Sequence, residues 1–328
     1  MLNPPPSLEN HQIEAWEALT TRLVTLDERV WEGRASGPAV RNWLGNFTGR
    51  TGASKEVEQL HALYILSQFM YFGSKEIRVL LRALYRDLFL LPIAQKVRAE
   101  TANIAEFCAK MQLEREATRF LGVGNPSESG VHLLYYFRQE NGLGKSAFMD
   151  SAQIYMVEEK AGQRKRLPRH PSIKRYVFLD DICGTGETAE RYSKDVLPEL
   201  VVEQKDVELC YFALFASSEG LSRVRNSTIF KHHCGAVYEL DPTYKWAADD
   251  SRYLSKLPNG IDRSILVALP RVYGEILVPA HPLGYEDTEL LLGFSHNTPD
   301  NTLPIIWFET EDGGKDHWYP IFRRYPKV

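Results

Sequence analysis

The spacing of apolar residues along the chain changes near residue 118, and this change predicts two kinds of structure. Before it, apolar residues recur at the i, i+3, i+4, i+7 interval of amphipathic helices, most regularly between residues 77 and 88. Ser54 and Ser74 each stand where a serine can cap the helix that follows, and Pro92 is expected to end or bend the second helix. The first third of the chain is therefore predicted to be helical.

Short apolar runs with the composition of strands alternate with helical segments between residues 118 and 240. The clearest runs are residues 120–124, 176–179, 207–215 and 236–240. This alternation predicts an α/β fold, a parallel sheet with helices on both faces. The remainder is irregular and rich in aromatic residues. We therefore predict three regions, which are an N-terminal α-helical region (1–117), an α/β core (118–240) and a C-terminal α+β cap or hood (241–328).

Composition narrows the class of protein without naming a function. The 328 residues carry a net charge of −4, so no global attraction to nucleic acid or to an anionic membrane is expected. The four cysteines show no CxxC spacing, and no apolar run approaches the length of a membrane span. The first residues have neither the basic region nor the apolar core of a signal peptide. These features predict a reduced, cytoplasmic protein.

The stretch Tyr176–Ala189, which reads YVFLDDICGTGETA, carries the strongest chemical signal in the chain. An apolar run leads directly into Asp180 and Asp181, and a turn of small residues, Gly184–Thr188, leads into the start of a helix. Glycines let backbone N–H groups close on an anion, threonine hydroxyls add donors, and the helix N-terminus adds partial positive charge. The stretch therefore predicts a phosphate site, and the plain alternative is a βα turn with an acidic edge.

The same stretch resembles the motif with which type I phosphoribosyltransferases bind phosphoribosyl pyrophosphate (PRPP). The resemblance implies that Asp180 and Asp181 accept hydrogen bonds from the ribose 2′- and 3′-hydroxyls. It also implies Mg²⁺ on the pyrophosphate, with the same two carboxylates as its candidate protein ligands. The 5′-phosphate would be wrapped by Gly184, Thr185, Gly186, Glu187 and Thr188. The implied reaction transfers ribose 5-phosphate from PRPP to a nucleophile through an oxocarbenium-like transition state.

Two residues of the motif depart from the family pattern. Gly184 stands where purine-salvage members carry an acid that helps to deprotonate the base, so that role has no candidate here. Glu187 brings a negative charge beside the expected phosphate, which is unfavourable unless its side chain points to solvent. The motif therefore predicts PRPP binding more strongly than it predicts catalysis.

A second loop falls where the family binds pyrophosphate through backbone N–H groups. It follows the first predicted strand of the core, and its candidate residues are Asn125, Ser127, Ser129 and Gly130. A plain N-capping loop is the alternative interpretation.

Family members also close a mobile basic loop over the pyrophosphate. Two segments have the right place in the order of elements, Gly142–Lys145 and the basic stretch Lys160–Arg175, and the choice between them stays open. Lys145 and Arg166 are the candidate catalytic cations, because a closing basic lid strengthens the field on a departing pyrophosphate. The alternative is a solvated hairpin tip.

Two further patterns admit a structural and a functional interpretation. Arg78, Arg82 and Arg86 form a basic stripe, either a solvated helix face or a docking surface for RNA, DNA or an acidic protein. The sequence His232-His233-Cys234 favours a loop entering a strand over a metal site, because adjacent strand residues point to opposite faces.

Three hypotheses on function remain after these observations. The first is a phosphoribosyltransferase acting on a base or nucleotide. The second is a PRPP- or nucleotide-sensing module without turnover. The third is an effector that attacks nucleotides, RNA or a protein, because the large regions outside the core resemble the divergent phosphoribosyltransferase-like proteins of bacterial conflict and anti-phage operons.

Overall fold

The computed structural model describes residues 2–124, 129–160, 163–310 and 317–325, and for residues 129–131, 160 and 163 it describes the backbone alone. The helices are α1 (Asn10–Arg29), α2 (Gly37–Leu44), α3 (Lys55–Ser67), α4 (Ser74–Ala83), α5 (Leu91–Ala99), α6 (Ile104–Glu116), α7 (Ser129–Glu140), α8 (Glu187–Val196), α9 (Pro198–Glu203), α10 (Ser218–Ser227), α11 (Arg263–Leu277) and α12 (Pro304–Trp307). The strands are β1 (Met70–Phe72), β2 (Thr118–Gly122), β3 (Tyr155–Lys160), β4 (Gln163–Pro168), β5 (Arg175–Cys183), β6 (Glu208–Ser217), β7 (Cys234–Leu240) and β8 (Leu292–Phe294).

The chain folds into two compact units that do not follow the predicted three regions. Unit 1 consists of Met1–Ile77 and Asp241–Val328, and unit 2 consists of Arg78–Leu240. The unit boundary at residue 240 coincides with the predicted one, but residues 78–117 group with the sheet rather than with the preceding helices. The physical reason is aromatic packing, since the ring of Phe89 lies 5.0 Å from that of Phe120 on β2.

Unit 1 is held together by one core to which both ends of the chain contribute. Trp31, Trp43 and Trp246 are fully buried in it, and the Trp43 indole N–H donates to the carbonyl of Ile305 at 2.7 Å. β1 and β8 pair in parallel, with Met70 opposite Leu292. Residues 1–77 of the predicted helical region and the predicted C-terminal cap are therefore parts of one folded unit.

A fully buried carboxylate, Glu58 of α3, joins two other parts of unit 1. It accepts hydrogen bonds from the backbone N–H groups of Gly49 and Thr51, both at 2.6 Å, and from the hydroxyl of Tyr273 on α11. A buried charge is tolerated only when its hydrogen-bonding capacity is used in this way. Glu58 therefore fixes the 49–51 loop against two helices.

The predicted helix caps and the effect of Pro92 can be compared with the structure directly. Ser54 caps α3 by accepting from the N–H of Val57 at 3.3 Å, as predicted. Ser74 is the first residue of α4, and its N–H and hydroxyl both donate to Glu32. Pro92 does not end the helix, because a π-helical segment, Leu84–Leu90, continues α4 into α5 and places Pro92 in the first turn of α5.

The sheet of unit 2 confirms the predicted α/β class. Its strand order is β2-β5-β6-β7, and all neighbours are parallel. Phe120 of β2 packs on the α7 side chain Phe137, whereas Phe178 of β5 packs on Tyr192 of α8. Phe178 is paired with Leu121, the neighbour of Phe120, so the two contacts lie on opposite faces. Helices therefore cover both faces.

The basic stripe on α4 and the π-helical segment is largely paired within unit 2. Arg78 forms an ion pair with Glu140 of α7 at 2.7 Å and lies over the ring of Tyr136, and Arg82 lies 3.5 Å from the same carboxylate. Arg86 pairs with its neighbour Asp87. The stripe therefore contributes to the packing of α7, and its charge is partly neutralised.

Within the described ranges, none of the helices is both long enough and apolar enough to cross a bilayer.

Candidate functional site

The two acidic residues of the motif lie inside a strand rather than beyond its end. We expected the strand to end at Leu179, but β5 continues to Cys183 because β6 pairs with it over this whole length, with Asp180 opposite Ala213 and Ile182 opposite Phe215. The side chains of Asp180 and Asp181 are 8% and 5% exposed. The backbone at the two carboxylates is thus held by pairing with β6 on one side.

Asp180 is oriented by two hydrogen bonds that the sequence did not suggest. The hydroxyl of Tyr211 on β6 donates to Oδ2 at 2.9 Å, and the N–H of Asp181 donates to Oδ1 at 3.0 Å. Burial, and then the negative charge of Asp180, raises the pKa of Tyr211 well above its ordinary value, so this phenol stays a donor. The N–H of Ile182 donates to Asp181 in the same local manner.

The cysteine of the motif is not a nucleophile. Cys183 is buried, and burial raises the pKa of its thiol to about 12, so the thiol is protonated at neutral pH.

The glycine turn after β5 is fixed by the N-terminus of α10. Gly186 has a positive φ of 77°, and a Cβ there would lie 2.7 Å from the carbonyl oxygen of Gly220. The hydroxyl of Ser217 donates to the carbonyl of Gly184 and accepts from the N–H of Gly220 at 2.8 Å. Ser217 thus caps α10 and also holds the turn.

Replacing Gly220 by alanine is expected to displace this turn. The new Cβ would lie 2.6 Å from the carbonyl oxygen of Gly184 and 2.7 Å from that of Cys183, both backbone atoms that cannot rotate away. We expect a loss of stability of about 1–3 kcal/mol, the usual cost of overpacking. Chemical denaturation measures this loss. Gly144→Ala is the control, because its nearest neighbour would be the side-chain oxygen of Ser146 at 3.6 Å, and equal stability of the two variants would contradict this close contact.

Charged side chains on α8 and α10 connect these two helices to each other and to the Gly184–Thr188 turn. Arg223 donates to Glu190 at 2.7 Å and reaches the carbonyl of Thr185 at 3.5 Å. Hydrogen bonds from Lys194 and Arg223 lower the pKa of Glu190. Glu187, whose charge is unfavourable beside a phosphate, is the first residue of α8, where a negative side chain favours the helix dipole. This offers a structural reason for an acid at that position.

The predicted pyrophosphate loop starts beside the acidic pair. The N–H of Val123, just past β2, donates to the carbonyl of Leu179 at 3.0 Å, so the chain leaves β2 next to Asp180. Asn125 and Ser127 lie outside the described residues. Ser129 and Gly130 are the first two residues of α7.

The basic segment Lys160–Arg175 contains β4, which pairs with β3 in an antiparallel hairpin. Two cations of β4 form ion pairs with acidic side chains of α9. Arg166 lies 3.3 Å from Glu199 and over the ring of Tyr155, and Lys165 lies 2.9 Å from Glu203. In this arrangement the structure does not bring Arg166 together with the acidic pair.

Arg175, the last residue of that segment, has a different role. It is the buried first residue of β5, and it pairs with Glu114 at 3.0 Å and with Glu208 at 2.9 Å. It is therefore part of the core of unit 2.

Lys145 lies towards the amino end of β2, at the opposite end of the sheet from the acidic pair. Phe148 bridges to Phe120, the middle residue of β2, in parallel, so residues before Phe148 lie towards the amino end of that strand. A cleft beside that end is lined by Arg115 and Arg119 and by the neighbours of Lys145, namely Gly142, Leu143, Gly144, Ser146 and Ala147. Asp180 lies beyond the carboxyl end of the paired β2 strand, since Gly122 is opposite Leu179. Which of the two segments acts as a lid stays a prediction.

A comparison with known protein families identifies the family of this chain. The family model described as PRTase-CE matches residues 40–324. The chain belongs to the PRTase-CE family. It is thus a phosphoribosyltransferase-like protein, and the family match includes most of unit 1 as well as all of unit 2. No curated protein matches the chain in sequence.

Two solved structures show more distant similarity to this member of the family. The AQ2163 protein of Aquifex aeolicus is 14% identical, with a TM-score of 0.28, over 63% of this chain and 84% of its own. A variant of the hypoxanthine phosphoribosyltransferase of Trypanosoma cruzi, solved with the product IMP, is also 14% identical, with a TM-score of 0.28, over 58% of this chain and 88% of its own. At these TM-scores neither structure guides the assignment of residues.

Proposed function

We propose that this PRTase-CE protein binds PRPP, or a related 5′-phosphorylated ribose, at the carboxyl end of β5. The observation that carries the proposal is the pair of carboxylates, Asp180 and Asp181, held in a buried strand that leads through a clamped glycine turn into the N-terminus of α8. A ribose offers two adjacent hydroxyl donors, and a 5′-phosphate offers the anion that such a turn and helix N-terminus attract. Ribose 5-phosphate carries both the pair of hydroxyls and the phosphate in one molecule.

The orientation of Asp180 favours a ligand with hydroxyl groups. Tyr211 and the N–H of Asp181 each use one lone pair of a different carboxylate oxygen. A carboxylate has about four acceptor positions and accepts hydrogen bonds from hydroxyl groups. Because the phenol and the strand fix the plane of the carboxylate, little side-chain entropy is lost when a hydroxyl binds.

Mg²⁺ fits this donor set as a partner of the substrate. Mg²⁺ is usually held by one or two carboxylates together with substrate phosphate oxygens and water, and Asp180 and Asp181 are the carboxylates available for that role. The ion would supply charge neutralisation at the pyrophosphate. The residues of the chain orient the ribose and the phosphate, whether or not the ion is present.

The proposed chemistry is a displacement at C1′ of the ribose. The bond from C1′ to the pyrophosphate oxygen breaks, its electron pair leaves with the pyrophosphate, and a nucleophile forms the new bond to C1′. Gly184 occupies the place of the base-deprotonating acid, and its carbonyl is used by Ser217. This supports an acceptor that needs no deprotonation by the motif, or a protein that binds PRPP without turnover.

Calorimetry with PRPP, ribose 5-phosphate and a panel of nucleotides, each with and without Mg²⁺, tests the proposal. We expect PRPP to bind more tightly with Mg²⁺ than without it. Pyrophosphate release in the same samples separates a transferase or hydrolase from a sensing module, and preference for a nucleotide would favour the effector hypothesis. Absence of binding by every 5′-phosphorylated ribose would refute the proposed function.

The hairpin is expected to exchange its contacts with α9 for contacts with the ligand. In Glu199→Gln combined with Glu203→Gln, amide exchange of β4 in the free protein should be about 2- to 30-fold faster, because two surface ion pairs are worth about 0.2–1 kcal/mol each. Addition of PRPP with Mg²⁺ should slow exchange in the wild type. Glu100→Gln with Glu116→Gln is the matched control, since both side chains are exposed on unit 2. Identical protection with and without ligand would make the hairpin a static surface element.

A further inference from the structure

Three potential metal ligands of different chemistry lie close together at the amino ends of β6 and β7. Asp180 lies at the opposite end of the sheet, where the strands have their carboxyl ends. Glu208 is the first residue of β6, Cys210 follows two residues later on the same face, and His233 directly precedes β7. One donor atom from each lies within 4.8 Å of the others, and among the described residues this is the one group of its kind. The strand pairing brings them together, because the N–H of Tyr211 donates to the carbonyl of His233 at 2.9 Å.

The Glu208–His233 separation fits a shared cation better than a direct hydrogen bond, and the Cys210 thiol donates a hydrogen bond to the same carboxylate oxygen. Oε1 of Glu208 lies 3.5 Å from Nδ1 of His233 and 3.5 Å from Sγ of Cys210. A charge-assisted N–H···O bond would be about 2.7–2.9 Å long. In a tetrahedral zinc site, with metal–ligand distances of about 2.0–2.3 Å, neighbouring donor atoms are about 3.3–3.8 Å apart. Two edges of the cluster already have that length.

The second oxygen of Glu208 accepts a hydrogen bond from a neighbouring side chain, as carboxylates that bind metals usually do. Arg175 donates to Oε2 at 2.9 Å and leaves Oε1 directed at the other two ligands. Such outer hydrogen bonds orient the ligand and raise the specificity of a site. The charge of Arg175 is shared with Glu114 at 3.0 Å, so a dication beside it does not face an unopposed guanidinium.

The site is also accessible from solvent. The side chains of Glu208 and His233 are 33% and 41% exposed, whereas Cys210 is buried at the base of the cluster. An ion can therefore enter between the two outer ligands, and water can take a fourth position.

We propose that Glu208, Cys210 and His233 bind one Zn²⁺ ion, independently of the proposed PRPP site. Oxygen, nitrogen and sulfur ligands together suit zinc among the common divalent ions, and Mg²⁺ does not take thiolate. Binding forms the Zn–S bond as the Cys210 thiol loses its proton to solvent. The ion ties the start of β6 to the start of β7.

Titration of the chelator-treated full chain with Co²⁺ tests the proposal, because cobalt reports its ligands optically. We expect one equivalent to produce a thiolate-to-metal charge-transfer band with the ligand-field absorption of a tetrahedral site, and Zn²⁺ to displace it. Cys210→Ala should abolish the charge-transfer band. His233→Gln should weaken Co²⁺ binding at least tenfold, and because this residue lies at the surface the variant is expected to fold.

The neighbouring residues provide matched controls. Cys234→Ala and His232→Gln remove the same chemical groups one position away and should leave both the band and the affinity unchanged. Absence of a charge-transfer band in the wild type, its persistence in Cys210→Ala, or an equal loss in His232→Gln and His233→Gln would each overturn the assignment. Circular dichroism of every variant confirms that the fold is retained.

Discussion

Asp180→Asn combined with Asp181→Asn is expected to weaken PRPP binding by at least a hundredfold while leaving the fold intact. Each substitution keeps the shape of the side chain but removes the charge that strengthens hydrogen bonds from the ribose hydroxyls. Hydrogen bonds to a charged group are worth about 1.5–3 kcal/mol each, so two lost groups amount to about 3–6 kcal/mol. An amide oxygen at position 180 still accepts from Tyr211, while the N–H of Asp181 loses its acceptor, so we expect a folded but somewhat less stable protein.

Calorimetry of PRPP with Mg²⁺, alongside thermal unfolding, measures this effect. The matched control is Asp195→Asn with Asp206→Asn, two exposed carboxylates of unit 2 that carry the same change of charge. The control should bind PRPP as the wild type does. If the 180/181 variant also kept its affinity, the acidic pair would have no part in recognition of the ribose.

Glu58→Gln is expected to cost unit 1 about 2–4 kcal/mol, since charge-assisted hydrogen bonds are weakened and a buried donor is left without an acceptor. The carboxylate accepts from the N–H groups of Gly49 and Thr51, at 2.6 Å each, and from Tyr273. Glutamine has one acceptor oxygen and directs an NH₂ group at one of these donors. In a fully buried site no water replaces the lost acceptor.

Tryptophan fluorescence during urea unfolding is the suitable measurement for this variant. All six tryptophans of the chain lie in unit 1, so their emission reports on that unit alone. Glu17→Gln, on an exposed position of α1, is the control and should stay within about 0.5 kcal/mol of wild type. A Glu58→Gln protein as stable as this control would mean that the carboxylate does not hold the 49–51 loop.

The parts of the site that follow one another along the chain were predictable from sequence. The apolar run, the two acids and the glycine turn of β5 and α8 lie within Tyr176–Ala189, and their chemistry can be read in order. The same holds for Ser54 and Ser217, each of which caps a helix through a residue three positions away. Alternation of strands and helices also predicted the parallel sheet.

The parts that depend on distant pairing were not predictable in this way. Tyr211 looks like one more apolar residue of β6 until the register places its hydroxyl beside Asp180. Gly220 acquires its importance from Gly184 and Cys183, which belong to another element. β1 and β8 are three-residue strands, too short to produce a periodic signal, yet they join both ends of the chain in unit 1.

Unit 1 is built from two separate segments of the chain, and this arrangement determines the order in which the protein can fold as it leaves the ribosome. Unit 2 is encoded by one continuous segment, and its polypeptide is complete as soon as β7 has been synthesised. Unit 1 needs β8, α11 and α12, so the apolar surfaces of Trp31 and Trp43 stay without their partners until these later elements have been synthesised. Domains generally fold as units during synthesis, and exposed apolar surface promotes aggregation in the meantime. Slow translation or premature termination after β7 would therefore yield a folded sheet attached to an unfolded, aggregation-prone N-terminal segment.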